Sequence, residues 1–299
     1  MMKKAYNISC CLFAAALALV IVSCNRLDVL GMVVNRSDTE ERVADWLDWN
    51  AQHDPFVIDS VRDNYVFYSC SDIHLNDNND RFAAYITEER NDPQAIFSIV
   101  AGDIANESGE GPYNLCEEAM AFDPAIHAKN DPCFPIIGNH DVYFDCAEYY
   151  KNHFHTSTYT VIVKTLSGRK DLFIFLDSGN GTHGSRQLEW LENQLASRIL
   201  YRHCFVISHN WMFRTTYNYT TTPAANLPED EQYAFMDLMS RSNVDMVIMG
   251  HFHYRDKKTF YGVPYIMTDN LNDGKVKPSY LVVRCGNTVS YEYRKLPNF

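Results

Sequence analysis

The feature that most constrains this chain is a series of short apolar runs, each closed by polar residues able to hold a metal. Runs at 64–71, 95–101, 133–137, 203–208 and 244–249 are of strand length and rich in Val, Ile and Phe. Directly beyond them stand Asp72 and His74, then Asp103, then Asn139, His140 and Asp141, then His209, and last His251 and His253. Helix-like segments at 80–90, 114–121, 143–152, 185–198 and 229–241 separate several of these runs. Near-continuous apolar strands alternating with helices predict an α/β fold with sheets covered on both faces. Sites in such sheets form beyond the carboxyl ends of the strands, where all five polar clusters fall.

Other segments complete the outline. Ser37 to Glu40 reads as a capping box, and Val43, Trp46 and Leu47 follow at helical spacing, which predicts an amphipathic helix over 38–51 packed on the domain. The runs 158–164 and 171–176 flank a turn at Ser167-Gly168 and read as a hairpin. The tail 257–294 carries three or four strand candidates and no helix, which predicts an antiparallel edge or a second sheet. No internal repeat or low-complexity tract interrupts the chain, so residues 37–299 are read as one domain.

The amino terminus is read as a targeting segment. Lys3 and Lys4 precede an apolar run from Ile8 to Val22, shorter than the roughly 20 residues that span a bilayer. The run ends in Val22-Ser23-Cys24, which resembles the lipobox of bacterial lipoproteins. That resemblance implies a signal peptide over 1–23, lipidation of Cys24, a tether over 24–36, and an exported protein held at a membrane of the cell envelope. Asn25 after the cysteine implies the outer membrane if the source is Gram-negative. The alternative is an uncleaved anchor helix.

Composition narrows the partners. The 38 Asp and Glu outnumber 26 Lys and Arg, for a net charge of −12, which argues against a nucleic-acid partner. A small phosphorylated substrate remains compatible, because metal ions can meet its charge locally. Of nine cysteines, Cys10 and Cys11 fall in the leader. Cys70, Cys204 and Cys285 lie in apolar runs as small hydrophobes. A disulfide among Cys116, Cys133 and Cys146 is compatible with export but has no assignable pairing, and no C-x-x-C pair supports a structural zinc site.

The donors after the strands are carboxylate, amide oxygen and imidazole, a set that suits Mn, Fe or Zn. The ordered series D-x-H, G-D, G-N-H-D, H and G-H-x-H, from Asp72 to His253, resembles the calcineurin-like metallophosphoesterase superfamily. The stretch 176–191 also resembles a segment common in that family. The resemblance implies a sandwich of two mixed β-sheets flanked by helices, and hydrolysis of phosphate esters with two divalent ions as cofactors. Asp72, His74, Asp103 and His253 would hold the first ion. Asp103 would bridge to the second, which Asn139, His209 and His251 complete. An activated hydroxide would attack phosphorus while His140 assists the leaving group, with Asp141 orienting its ring. Monoester and diester substrates both stay open. The alternative from another class is a non-catalytic surface lipoprotein that uses the fold for binding.

Three further features compete for a role. Gly179 to Gly184 matches G-x-G-x-x-G, but the acid expected about 20 residues on is replaced by His209, so a flexible loop at the site rim is the reading adopted. In the irregular stretch 210–228, Trp211, Phe213, Arg214, Tyr217 and Tyr219 either line the substrate cleft, with Arg214 on phosphate, or pack as an aromatic loop. His153 and His155 are read as surface residues, and whether His183 reaches the pocket stays open.

Overall fold

The computed structural model describes residues 39–106, 109–121, 130–213 and 227–299. Its strands, in chain order, are β1 Phe56–Asp59, β2 Tyr65–Cys70, β3 Ala95–Ala101, β4 Cys133–Ile136, β5 Tyr159–Lys164 and β6 Lys170–Phe175, then β7 Cys204–Ile207, β8 Met246–Met249, β9 Asp256–Phe260, β10 Val263–Met267, β11 Ser279–Cys285 and β12 Val289–Lys295. The helices are α1 Thr39–Ala51, α2 Asp80–Asn91, α3 Gly111–Met120, α4 Cys146–Phe154, α5 Ser185–Leu195 and α6 Glu229–Arg241.

Two mixed sheets result. One has seven strands in the order β1-β5-β6-β7-β8-β10-β9, and the other five in the order β12-β11-β2-β3-β4. Strands β6, β7, β8 and β10 run parallel, as do β2, β3 and β4, while β5, β9, β11 and β12 pair antiparallel with neighbours. The period of two along β2 shows why its sequence is apolar throughout. Tyr65 and Phe67 point into the space between the sheets, and Val66, Tyr68 and Cys70 point to the opposite face, where helical residues cover them. All six β2 residues are therefore buried. The inter-sheet core is built on aromatics: Phe67 stacks on Phe97 at 5.2 Å and meets Phe173 edge-on at 5.1 Å, and Phe173 stacks on Phe205 at 4.6 Å.

Helix α1 attaches through a buried ion pair. The Arg42 guanidinium donates from Nε and Nη2 to the two carboxylate oxygens of Asp177, each at 3.0 Å, and Trp46 Nε1 donates to Asp177 at 3.0 Å. Burial alone would push Asp177 up; Arg42 and the hydrogen bonds from Arg42 and Trp46 hold it below the usual carboxylate range. The Glu40 carboxylate accepts from Ser185 N, Ser185 Oγ and Arg186 N at the start of α5, whose N-cap residue, Gly184, makes no side-chain cap bond. Ser37 lies outside the described residues.

The structure departs from sequence expectation at several points. The sequence reading does not include β1: its apolar stretch is only Phe56, Val57 and Ile58, none of them fully buried, and pairing with β5 makes it a strand. The tail divides, with β9 and β10 in the larger sheet and β11 and β12 in the smaller. The glycine-rich loop is packed rather than loose. Arg42 donates to Asn180, and Glu231 accepts from Thr182 Oγ1 at 2.6 Å and from His183 N at 2.6 Å. His183 is fully buried between Glu231 and Ser208. His153 lies against Tyr113 and pairs with Glu117 at 3.0 Å, and His155 is exposed beside Trp49. Cys70, Cys116, Cys133, Cys146, Cys204 and Cys285 are all free thiols.

Removing one partner of a buried ion pair leaves the other uncompensated, so Asp177→Ala is expected to cost about 3–5 kcal/mol of stability. Urea unfolding followed by circular dichroism checks this; a loss below about 1 kcal/mol would mean that α1 docks by apolar packing alone.

Candidate metal centre

Carboxyl ends of β2, β3, β4, β7 and β8 meet at one end of the sandwich, and the turns beyond them project donors toward a common point. Asp72, His74, Asp103 and His253 each place a ligand atom within 4.8 Å of the others, and Asp103, His209 and His251 form a second such group. Asp103 belongs to both. Its Oδ2 lies 3.3 Å from His209 Nε2 and 3.8 Å from His74 Nε2, while its Oδ1 accepts from His140 N at 2.8 Å. Asn139 joins the second group: its Oδ1 accepts from His251 Nδ1 at 2.8 Å and from His209 Nε2 at 3.1 Å.

The backbone is bent to achieve this. Asp72, His74, Asp103, His251 and His253 have φ of 52°, 45°, 55°, 86° and 61°, the left-handed region that non-glycine residues avoid at a cost of about 1–3 kcal/mol each. Neighbours hold the bends. Asp72 N donates to Gly102 O at 2.9 Å, His74 N donates to Asp103 O at 3.1 Å, and Lys275 Nζ donates to His253 O at 2.7 Å. Gly102 and Gly138 leave necessary room: a Cβ at Gly102 would come within 2.4 Å of the His209 ring, and one at Gly138 within 2.2 Å of Asp103 Oδ1.

The donor set fits divalent ions. His74 Nε2 and His253 Nε2 face each other at 3.0 Å, with Asp72 Oδ1 3.2 Å from His253 Nε2. Imidazole nitrogens and carboxylate oxygens turned on one another in a buried place are what a cation satisfies. Protonation tells the same story. Burial opposes charge on His209, yet the Asp103 carboxylate lifts it to about 9, so in the metal-free protein a proton holds the place between these groups. His209 Nδ1 faces Ala101 O at 2.8 Å, which fixes its tautomer and leaves Nε2 for the centre. Burial pulls His74 and His251 down to about 4, with the charge of His209 adding to the effect on His251. Asp72 is held down at about 2 by its hydrogen bond with His253 and the His209 charge, against burial.

His140 and Asp141 part company. His140 turns its ring edge to His74 at 4.5 Å, and its Nδ1 lies 3.0 Å from the carbonyl oxygen of Asn106. Asn106 rather than Asp141 therefore orients the ring. Asp141 accepts from Gly138 N at 2.9 Å, Ala105 N at 2.9 Å, Ile104 N at 3.1 Å and Tyr113 Oη at 3.1 Å. It ties the β3 turn to the β4 turn, which keeps Asp103 and Asn139 in register. Burial and the Asp103 charge push it up to about 6 against those donors.

Some contributors carried no pattern in the sequence. Tyr143 Oη accepts from Asn139 Nδ2 at 3.2 Å and so turns Asn139 Oδ1 toward the histidines. Ser71 Oγ donates to Asp72, and Lys275 comes from a loop more than twenty residues beyond the last motif. A single Tyr, Ser or Lys outside any motif gives no signal. Trp211 is almost fully buried and packs on Phe213 at 5.3 Å, so it does not line a cleft. Arg214, Tyr217 and Tyr219, like Cys24, lie outside the described residues.

The family model for calcineurin-like phosphoesterases matches residues 65–255, close to the stretch that carries these donors. The chain belongs to the calcineurin-like phosphoesterase family. Among solved structures it is similar to a dimetal phosphatase from Danio rerio, at 11% identity and a TM-score of 0.59, over 77% of this chain and 96% of that one. It is also similar to the purple acid phosphatase PPD1 of yellow lupin, at 12% identity and a TM-score of 0.59, over 79% of this chain and 52% of that one. GAP50, the anchor in the inner membrane complex of Plasmodium, is similar at 15% identity and a TM-score of 0.58, over 79% and 86% of the two chains. These likenesses show the shared fold. No curated protein sequence matches the chain.

Metal uptake at the group of Asp103, His209 and His251 would displace the His209 proton. Apparent affinity for Mn or Zn is expected to rise about tenfold per pH unit between the ordinary histidine pKa of about 6.5 and the raised value of about 9, then level off. Calorimetric titration in buffers of different ionisation enthalpy reads the released proton. In the metal-free protein His209 stabilises the fold below pH 6.5, and this contribution fades as pH rises through 9. His74 and His251 give the opposite slope, with stability present above 6.5 and lost as pH falls toward 4. Chelated protein should thus be most stable near pH 6.5, as thermal melts across that range would show.

Proposed function

We propose that this chain is a hydrolase of phosphate esters whose centre holds two divalent ions, Mn, Fe or Zn. The observation that carries the proposal is Asp103, whose one carboxylate is shared by two complete donor groups. Asp72, His74 and His253 would complete one ion's surroundings, and Asn139, His209 and His251 the other's. Bound there, divalent ions supply Lewis-acid charge for the phosphoryl oxygens and acidify water.

The remaining chemistry falls to the protein. His140 Nδ1 donates to Asn106 O, so the ring proton that moves is the one on Nε2. A protonated Nε2 can donate to the leaving oxygen as its bond to phosphorus breaks, and the neutral ring left behind regains the proton from solvent. His140 N anchors Asp103 Oδ1, so the same residue couples proton delivery to the shared carboxylate. Asp141 serves by fixing the turns.

The reading extends to place: the leader and Cys24 support an exported protein tethered to a membrane. Phosphate esters outside the cytoplasm are then the substrates in reach. A non-catalytic anchoring role is the alternative raised by the likeness to GAP50, and the undepleted donor set favours catalysis over it.

Turnover of an aryl phosphate monoester and a matching diester, with Mn, Fe or Zn added after chelation, tests the proposal. His140→Ala is expected to retain its metal while turnover falls about 10²–10⁴-fold, and Asp103→Ala to lose both. Full activity with retained metal in His140→Ala would remove it from the reaction, and a wild-type chain that binds no ion and turns over neither ester would favour the anchoring role.

A further inference from the structure

Six large apolar residues among the described ones are more than 70% exposed: Val61 at 77%, Leu166 at 72%, Ile199 at 90%, Leu200 at 72%, Tyr261 at 78% and Val276 at 81%. The first five share one end of the seven-stranded sheet. Val61 follows β1, Leu166 sits in the β5–β6 turn, Ile199 and Leu200 precede β7, and Tyr261 forms the β9–β10 turn. Because β6, β7, β8 and β10 run parallel toward the metal centre, these turns all lie at the opposite end. The five form a row along that rim, following the strand order β1, β5, β6, β7, β10, β9. Isolated exposed apolar residues are ordinary, but a row on one rim is not.

Charge says what the row meets. In the turns 59–64, 164–171, 197–203 and 241–245, Lys164 pairs with Asp59, Arg198 with Asp245, Arg202 with Asp171 and Arg241 with Glu192, so the cations that the rim offers are Arg62, Arg169 and Lys170, in a chain of net charge −12. Arg62, Arg169 and Lys170 are exposed among the tips. Apolar side chains that dip into acyl chains, ringed by cations that meet phosphates, are the surface an anionic lipid leaflet receives. We propose that this rim docks on an anionic membrane and turns the metal centre away from the lipid.

The inference rests on the reading that the amino-terminal segment tethers the chain to a membrane. Geometry permits both together. Thr39 Oγ1 lies 3.4 Å from Asn180, beyond β6 at the metal-centre end, so the tether departs from the end opposite the rim. The residues between Cys24 and Thr39 reach at most about 45–50 Å when extended, against roughly 25 Å for the height of a seven-residue strand. A tether alone leaves orientation free. The rim fixes it, so that substrates arrive from the aqueous side.

Hydrogen exchange on the full chain, tethered to phosphatidylethanolamine–phosphatidylglycerol vesicles, tests this against the triple variant Leu166→Asp, Ile199→Asp and Tyr261→Asp. These side chains are exposed, so the variant is expected to keep its melting temperature and its aryl phosphate turnover. Amides at 167–169 and at 201 should exchange about tenfold more slowly in the native chain than in the variant, and the difference should shrink on phosphatidylcholine vesicles. Equal exchange in the two vesicle-bound chains overturns the rim alone. Protection that follows protein density rather than anionic lipid content means a second copy covers the rim, and also overturns it. A chain that does not float with the vesicles overturns the tether and the rim together.

Discussion

Asp103 is the point on which the two halves of the site depend. It is fully buried beside His209 and His74, and those imidazoles, with the His140 ring nearby, hold its carboxyl well below the usual range against the pull of burial. A lone buried carboxylate would be costly; here it is balanced by partners on turns drawn from both sheets. The packing of Phe67, Phe97, Phe173 and Phe205 between the sheets sets the distance at which those turns meet. Sheet packing and site geometry are therefore one constraint.

The left-handed backbone at Asp72, His74, Asp103, His251 and His253 shows what the fold bears to aim its donors. Such bends persist only where surrounding bonds over-determine them. Asp141 is the main brace, with donors from the β3 and β4 turns, and Tyr143 and Lys275 secure Asn139 and His253. Divalent ions would replace the proton that His209 carries between these groups, which gives the strained arrangement a use.

Much of this was legible beforehand because the strands are buried on both faces and the donors fall directly after them. The runs ending at Asp72, Asp103, Asn139, His209 and His251 appear as β2, β3, β4, β7 and β8 with small shifts at their ends. What stayed hidden depends on tertiary contact. β1 has an apolar stretch of only three residues, Glu40 caps a helix far along the chain, and Asn106 acts through its carbonyl, which every residue possesses. The sequence neighbourhood of His140 and Asp141 implied a contact that the fold does not make, since adjacent residues in this turn point apart. The row of exposed tips from Val61 to Tyr261 is likewise invisible in order along the chain and plain once the strands align.

The central claim is that one carboxylate joins two ions. Anomalous diffraction from crystals grown with Mn or Zn locates the ions without reference to activity. Two peaks per chain, both in contact with Asp103, are predicted. A single peak, or peaks that leave Asp103 unliganded, would contradict the account.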